Sequence, residues 1–225
     1  MLLNNVEIKS YGATLLTKDI QTAEVITYQD WLRNAPSFIV QGQEEKYKAI
    51  NCEFAVKGTD DDNILQNISD LVRLAENCTI QFDGSAFLYD AIIKDKNHKR
   101  ITGTLYRLHI EWQAGYAYQA EITETLNQVA NKTITVPGNL KTPAIIEITP
   151  TLNLITLTVA GMTVNNLTAN QTVIINSEDF TVLQGVANKY GDTSGDFPFL
   201  DPGDNTITVS DTNCNINVKY KPRWL

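Results

Sequence analysis

Few side chains in these 225 residues could do chemistry. They are His98 and His109, the cysteines Cys52, Cys78 and Cys214, and two acidic runs, one at Asp60, Asp61 and Asp62 and one at Asp192, Asp196 and Asp201. His109 shares a strand face with Arg107 and Glu111, a setting for acid–base work in a cleft, but no serine or cysteine nucleophile motif accompanies it. A surface or interface histidine is the simpler reading, and His98, inside a basic run, is placed the same way. The cysteines are odd in number and lack C-x-x-C spacing, so neither a disulfide framework nor a zinc site is expected, and Cys52 reads as a small core residue. Asp192-Thr193-Ser194-Gly195-Asp196 begins like an EF-hand loop, then puts Phe197 where that loop needs glycine and Gly203 where it needs a bidentate glutamate. Turn formation accounts for these residues, as helix capping does for Asp60 to Asp62.

No G-x-S-x-G, H-E-x-x-H, Walker or dinucleotide fingerprint occurs, so no catalytic, cofactor or metal residue is assigned and an enzyme is not expected. The net charge is −8, with 12 basic and 18 acidic residues in 1–130 and 6 and 8 in 131–225. Both parts being acidic, specific nucleic-acid binding is disfavoured. The one basic cluster, Lys94, Lys96, Lys99 and Arg100 around His98, has no interleaved aromatic for base stacking and is expected as a solvated hairpin loop. The first residues lack a basic segment followed by an apolar one, and no stretch approaches the ~20 apolar residues that span a bilayer. Cytoplasmic synthesis without membrane insertion is therefore expected.

The elements that would carry these residues are mostly strands. Residues 48–57 alternate, with Ile50, Cys52, Phe54 and Val56 on one face. Ile64, Ile68, Leu71, Val72 and Ala75 then share a helical face, starting after Thr59-Asp60 and ending near Asn77. Strands are expected at 79–82, 86–93 and 105–112, the last with Tyr106, Leu108, Ile110 and Trp112 inward. The chain turns polar after Glu121, and a boundary is placed near residue 130, giving domains 1–130 and 131–225. Beyond it, strands of four to seven residues recur at 144–149, 154–159, 172–175, 180–183, 206–209 and 214–220, the pattern of a β-sandwich or jelly roll. Pro222 stops the last strand, leaving Trp224 to pack on its own domain or to dock on a neighbour.

The order of short runs in the last third is more specific than any one of them. Thr142-Pro143-Ala144-Ile145-Ile146-Glu147 is followed by Gln171-Thr172-Val173-Ile174-Ile175-Asn176 and Asn188-Lys189-Tyr190-Gly191. Then come Phe197-Pro198-Phe199-Leu200, Pro202-Gly203 and the terminal Tyr220-Lys221-Pro222-Arg223-Trp224. In this order and position the chain resembles the siphophage and prophage distal tail protein, or Dit, family. The first 130 residues match that family only in plan.

The resemblance implies a mainly β protein: a ring-forming belt domain with one helix, and a galectin-like β-sandwich. It implies a structural hub of a long non-contractile tail tip, a homo-hexamer in one ring or two stacked rings, acting as a DNA conduit. Its expected partners are the tail tube protein, the tape-measure protein, the tail-associated fibre or lysin and the receptor-binding protein. Its location would be the virion tail tip, after synthesis in the host bacterial cytoplasm. Which residues form the oligomer interface does not follow from it. Fold alone does not license sugar binding, and the second part lacks the His-Asn-Arg set that galectins use. A carbohydrate- or receptor-binding module is the alternative reading.

Overall fold

The computed structural model describes residues 1–30, 36–37 and 39–225. The chain forms two compact units, Met1–Tyr118 with Leu225, and Gln119–Trp224. The boundary expected near residue 130 therefore falls inside the second unit. The reason is strand pairing: the polar segment after Glu121 is a strand whose every residue is paired with the last long strand of the chain.

The first unit contains β1 (Leu2–Leu3), β2 (Val6–Glu7), β3 (Ala13–Ile20), β4 (Val25–Asp30), β5 (Ile39–Glu45) and β6 (Lys48–Lys57). Helix α1 (Asp61–Ala75), β7 (Asn77–Gln81), β8 (Leu88–Thr102) and β9 (Leu105–Tyr118) complete it. Its main antiparallel sheet runs β2-β1-β7-β8-β9-β6-β3, and β4 with β5 forms a separate ribbon. Strand β6 buries Ile50, Cys52, Phe54 and Val56 in strict alternation, and β9 does the same with Tyr106, Leu108, Ile110 and Trp112. Helix α1 buries all five residues of its predicted face.

Asp60 accepts a 2.8 Å hydrogen bond from the Asn63 backbone N–H, which holds its carboxyl below the usual range and fixes where the helix begins. The far end of the helix is tied to the sheet by Trp112, whose indole N–H donates to the Ala75 carbonyl at 2.9 Å while its ring meets Phe54 edge-on.

The second unit contains β10 (Ile122–Asn127), β11 (Asn131–Val136), β12 (Thr142–Pro143), β13 (Ile145–Pro150), β14 (Leu154–Val159) and β15 (Met162–Leu167). There follow β16 (Val173–Asn176), β17 (Thr181–Gln184), β18 (Ala187–Asn188), β19 (Thr193–Ser194), β20 (Phe199–Leu200), β21 (Gly203–Thr208), β22 (Cys214–Tyr220) and β23 (Arg223–Trp224). One sheet runs β10-β22-β13-β16-β17-β18, and β11-β21, β12-β20 and β14-β15-β19 form smaller ones. All contribute to one apolar core that includes Ile146, Ile148, Leu157, Val164, Val173, Ile175, Ile216 and Val218. Among the described residues the molecule is thus mainly β with one α-helix, as the strand spacing implied.

Candidate assembly surfaces

The expected basic loop is strand. Residues 94–102 continue β8, paired with β9 down to Thr102 and Leu105, and the turn is only the two residues between. Sequence pattern missed this because every side chain from Lys94 to Thr102 is exposed, so no period of burial marks the strand. On its other side β8 pairs with β7 only as far as Ile92, and the Ile93 N–H donates to the Glu76 carbonyl. From residue 94 onward, among the described residues, no strand pairs with that edge.

Beside this edge, a hollow of about 690 Å³ lies between α1 and β8. Leu65, Ile68, Val72 and Leu108 line it, together with Arg73, Lys96 and His98. The nearby cations are partly matched: Lys94 to Glu111 at 2.7 Å, Arg100 to Asp61 at 2.7 Å, Lys96 to Glu76 at 4.0 Å. Lys and Arg on an edge strand discourage indiscriminate pairing while leaving the backbone available to a matched one.

The ribbon of β4 and β5 is the second such feature. Its strands pair with each other and, among the described residues, with no other strand. Val25, Tyr28, Ile39 and Val40 are 52%, 47%, 47% and 50% exposed. An isolated two-stranded ribbon is at best marginal in water, and this one displays four large apolar side chains.

In the second unit the terminal run builds a different surface. Lys189 is 8% exposed, and its ammonium donates to the Asn166 carbonyl at 3.1 Å and pairs with Asp192 at 2.9 Å. This pins the loop to β15 and holds the Asp192 carboxyl below its usual range. It also displays Tyr190, 55% exposed, whose ring lies within 9° of parallel to that of Phe197.

Phe180, in a left-handed backbone conformation at φ 57°, is 58% exposed and meets Phe197 edge-on at 5.3 Å. With Phe199, Lys141 and Asp196 these rings line a hollow of about 730 Å³. At its base a Cβ on Gly195 would stand 2.6 Å from the Gly161 carbonyl, so only glycine lets the two turns meet. Sequence reading missed this cluster. Its signal was the aromatic spacing 180, 190, 197 and 199, which turn residues had obscured.

The residues singled out for chemistry are scattered. His98 and His109 are on adjacent strands in positions that face opposite sides of the sheet, since His98 pairs with Leu108 and His109 with Asn97. Cys52, Cys78 and Cys214 are buried and unbonded to one another, and burial pushes the first two thiols up to about 12 and raises the third. Asp192 is held by Lys189, Asp201 lies 3.7 Å from Lys141, and Asp196 rims the aromatic hollow. Among the described residues no three His, Cys, Asp or Glu side chains come together to hold a metal ion, and no helix is long and apolar enough to cross a membrane.

The C-terminal run is fixed by its backbone. Asn139 and Leu140 N–H donate to the Arg223 carbonyl, and Gly138, at φ 117°, has no room for a Cβ against the same oxygen. Trp224 is half-buried and belongs to the second unit.

Residues 137–224 match the family model described as siphovirus-type tail component, C-terminal domain. The whole chain is similar to the crystal structure of Dit (gp 19.1) of phage SPP1, with a TM-score of 0.82, 9% identity, and coverage of 100% of this chain and 98% of that one. That protein is described as a paradigm of hub adsorption apparatus in phages infecting Gram-positive bacteria. Chains of the phage p2 baseplate in its activated conformation align at TM-scores of 0.55 with strontium and 0.56 with calcium. Each is 10% identical over 95% of this chain and 92% of theirs. No curated protein sequence matches the chain. Residues 137–224 therefore match the siphovirus-type tail component model, in a chain that has throughout the fold of SPP1 Dit.

Proposed function

We propose that this protein is the structural hub of a long non-contractile phage tail tip. Six copies close a ring through the first unit and carry the second unit outward, joining the tail tube to the host-adsorption apparatus. The observation that carries this reading is the likeness to SPP1 Dit over the full length of both chains. The β8 edge, with which no strand pairs from residue 94 onward among the described residues, supports it, because a heterologous contact repeated around an axis can close a ring.

Six copies would carry 6 × −8 = −48 charges. An acidic bore repels the DNA that passes through it, which is what a conduit requires. The tube, tape-measure, fibre or lysin and receptor-binding proteins are its partners in the virion tail tip, after synthesis in the host bacterial cytoplasm. Light scattering on the purified chain should return six copies per particle. A mass of one copy that stays unchanged when tail tube protein is added would count against the hub.

The aromatic hollow of the second unit favours one other reading, a receptor module that stacks a sugar ring on Tyr190 or Phe180. Saturable binding of host-wall polysaccharide, lost in Tyr190→Ala, would support it.

A further inference from the structure

The aromatic hollow of the second unit has the parts of a ligand site, and each part is held in place. Tyr190 presents its ring from a short turn with an anchored backbone. Its N–H donates to the Asn188 side-chain oxygen at 2.9 Å, its carbonyl accepts from the Thr193 hydroxyl at 2.7 Å, and the preceding Lys189 is buried on the Asn166 carbonyl. Phe180 presents its ring from a left-handed backbone at φ 57°, a conformation that a bulky residue adopts only under constraint. Both rings are more than half exposed and both meet Phe197, so the platform is in place before any ligand arrives.

The lining comes from separate connections: Lys141, the Ala160–Gly161 turn, Phe180, Tyr190 and the 195–199 segment. A hollow assembled from turns suits a compact ring, whereas a peptide read through its backbone lies along a strand edge or an extended groove.

Charge narrows the ligand further. Lys141 and Asp201 are 3.7 Å apart and offset one another. Asp196 has no hydrogen-bond or ion-pair partner among the described residues, so the rim carries one unmatched negative charge. It stands among rings whose faces attract cations. In a unit where acidic residues outnumber basic ones, an anion is repelled.

We infer that the hollow is a subsite for an amino sugar: the apolar face of a pyranose stacks on Tyr190, and its free ammonium pairs with Asp196. The assignment rests on the sugar-binding reading above and names its ligand class; the hub reading stands without it.

Titration calorimetry on the full-length chain, at about pH 6 where an amine is protonated, tests it with three probes: glucosamine oligomers, their N-acetylated counterparts and galacturonic acid oligomers. The glucosamine oligomer should bind about tenfold more tightly than the acetylated one, since an exposed ion pair and a cation–π contact each add a modest factor. The uronic acid oligomer should not bind. Tyr190→Ala should abolish binding, and Tyr190→Phe should keep it. Asp196→Asn should bring the free and acetylated oligomers to equal affinity. Glu121→Gln, the same loss of charge outside the hollow, should leave the preference in place. All three positions are exposed, and circular dichroism should show every variant folded.

Equal binding of the free and acetylated oligomers by the parent chain, lost in Tyr190→Ala, would overturn the inference and leave the sugar reading standing. So would binding of host-wall polysaccharide but of none of the three probes. A preference for the free amine that survives Asp196→Asn would also overturn it, as would tighter binding of an oligolysine peptide with the same dependence on Tyr190 and Asp196. Binding of neither the probes nor host-wall polysaccharide would remove the sugar reading and the inference together.

Discussion

The two units present different things to their surroundings. Among the described residues of the first, no further strand pairs with β8 from residue 94 onward or with the β4–β5 ribbon. The second offers side chains instead: Phe180, Tyr190, Phe197 and Phe199 around a hollow with Lys141 and Asp196. Unpaired backbone is joined by any strand of the right length and is suited to repeating one contact between identical copies. Displayed rings with a polar rim discriminate by shape and are suited to a partner of particular chemistry. Within one acidic mainly β chain, one unit leaves strand edges open and the other displays aromatic rings.

The division can be broken most severely from the core. Trp112→Ala removes the indole that ties the end of α1 to the sheet, at a cost of about 3–5 kcal/mol. Calorimetry should show the transition of the first unit falling while that of the second stays in place. One transition moving as a whole would erase the distinction.

Gly138→Ala acts on the second unit alone. A Cβ there would overlap the Arg223 carbonyl oxygen on a backbone at φ 117°, so a loss of about 1–3 kcal/mol is expected on denaturant unfolding. Lys189→Met should cost about 1–3 kcal/mol by leaving the Asn166 carbonyl without its donor. Hydrogen exchange around Tyr190 should quicken while β6 and β9 stay protected.

The smallest effect concerns the outer face of the six-stranded sheet. Lys219 hydrogen-bonds Glu147 at 2.6 Å and holds its carboxyl below the usual range. A depressed folded value means the contribution is complete above the unfolded carboxylate pKa of about 4.3 and is lost as pH falls through the folded one. Glu147→Gln should therefore lower stability by roughly 0.5–1 kcal/mol at neutral pH and leave acid stability closer to the parent's.

How much of this was legible in the sequence follows from how regular each burial pattern is. Strand β6, helix α1 and strand β22 were read from strict periods, because one face of each is buried along nearly its whole length. Strand β15 was missed where Asn165 and Asn166 look like a turn, and Asn166 does take a left-handed backbone inside the strand. Residues 94–102 of β8 and the ribbon were not readable, since every side chain from Lys94 to Thr102 and most of those in β4 are exposed and mark no period of burial. The aromatic hollow had the same obstacle: Phe180 and Tyr190 meet Phe197 from separate turns. The family likeness was legible earlier than the geometry, because the order of short runs from Thr142 to Trp224 survives where single elements are ambiguous.

The central claim is that the first unit joins copies and the second faces outward. Electron-microscopy class averages of the purified full-length chain test it most directly. The account predicts six-membered rings with a central opening, the first units forming the inner wall and the second units projecting from the rim. Single copies at about tens of micromolar, or rings whose inner wall is made by the second units, would contradict it.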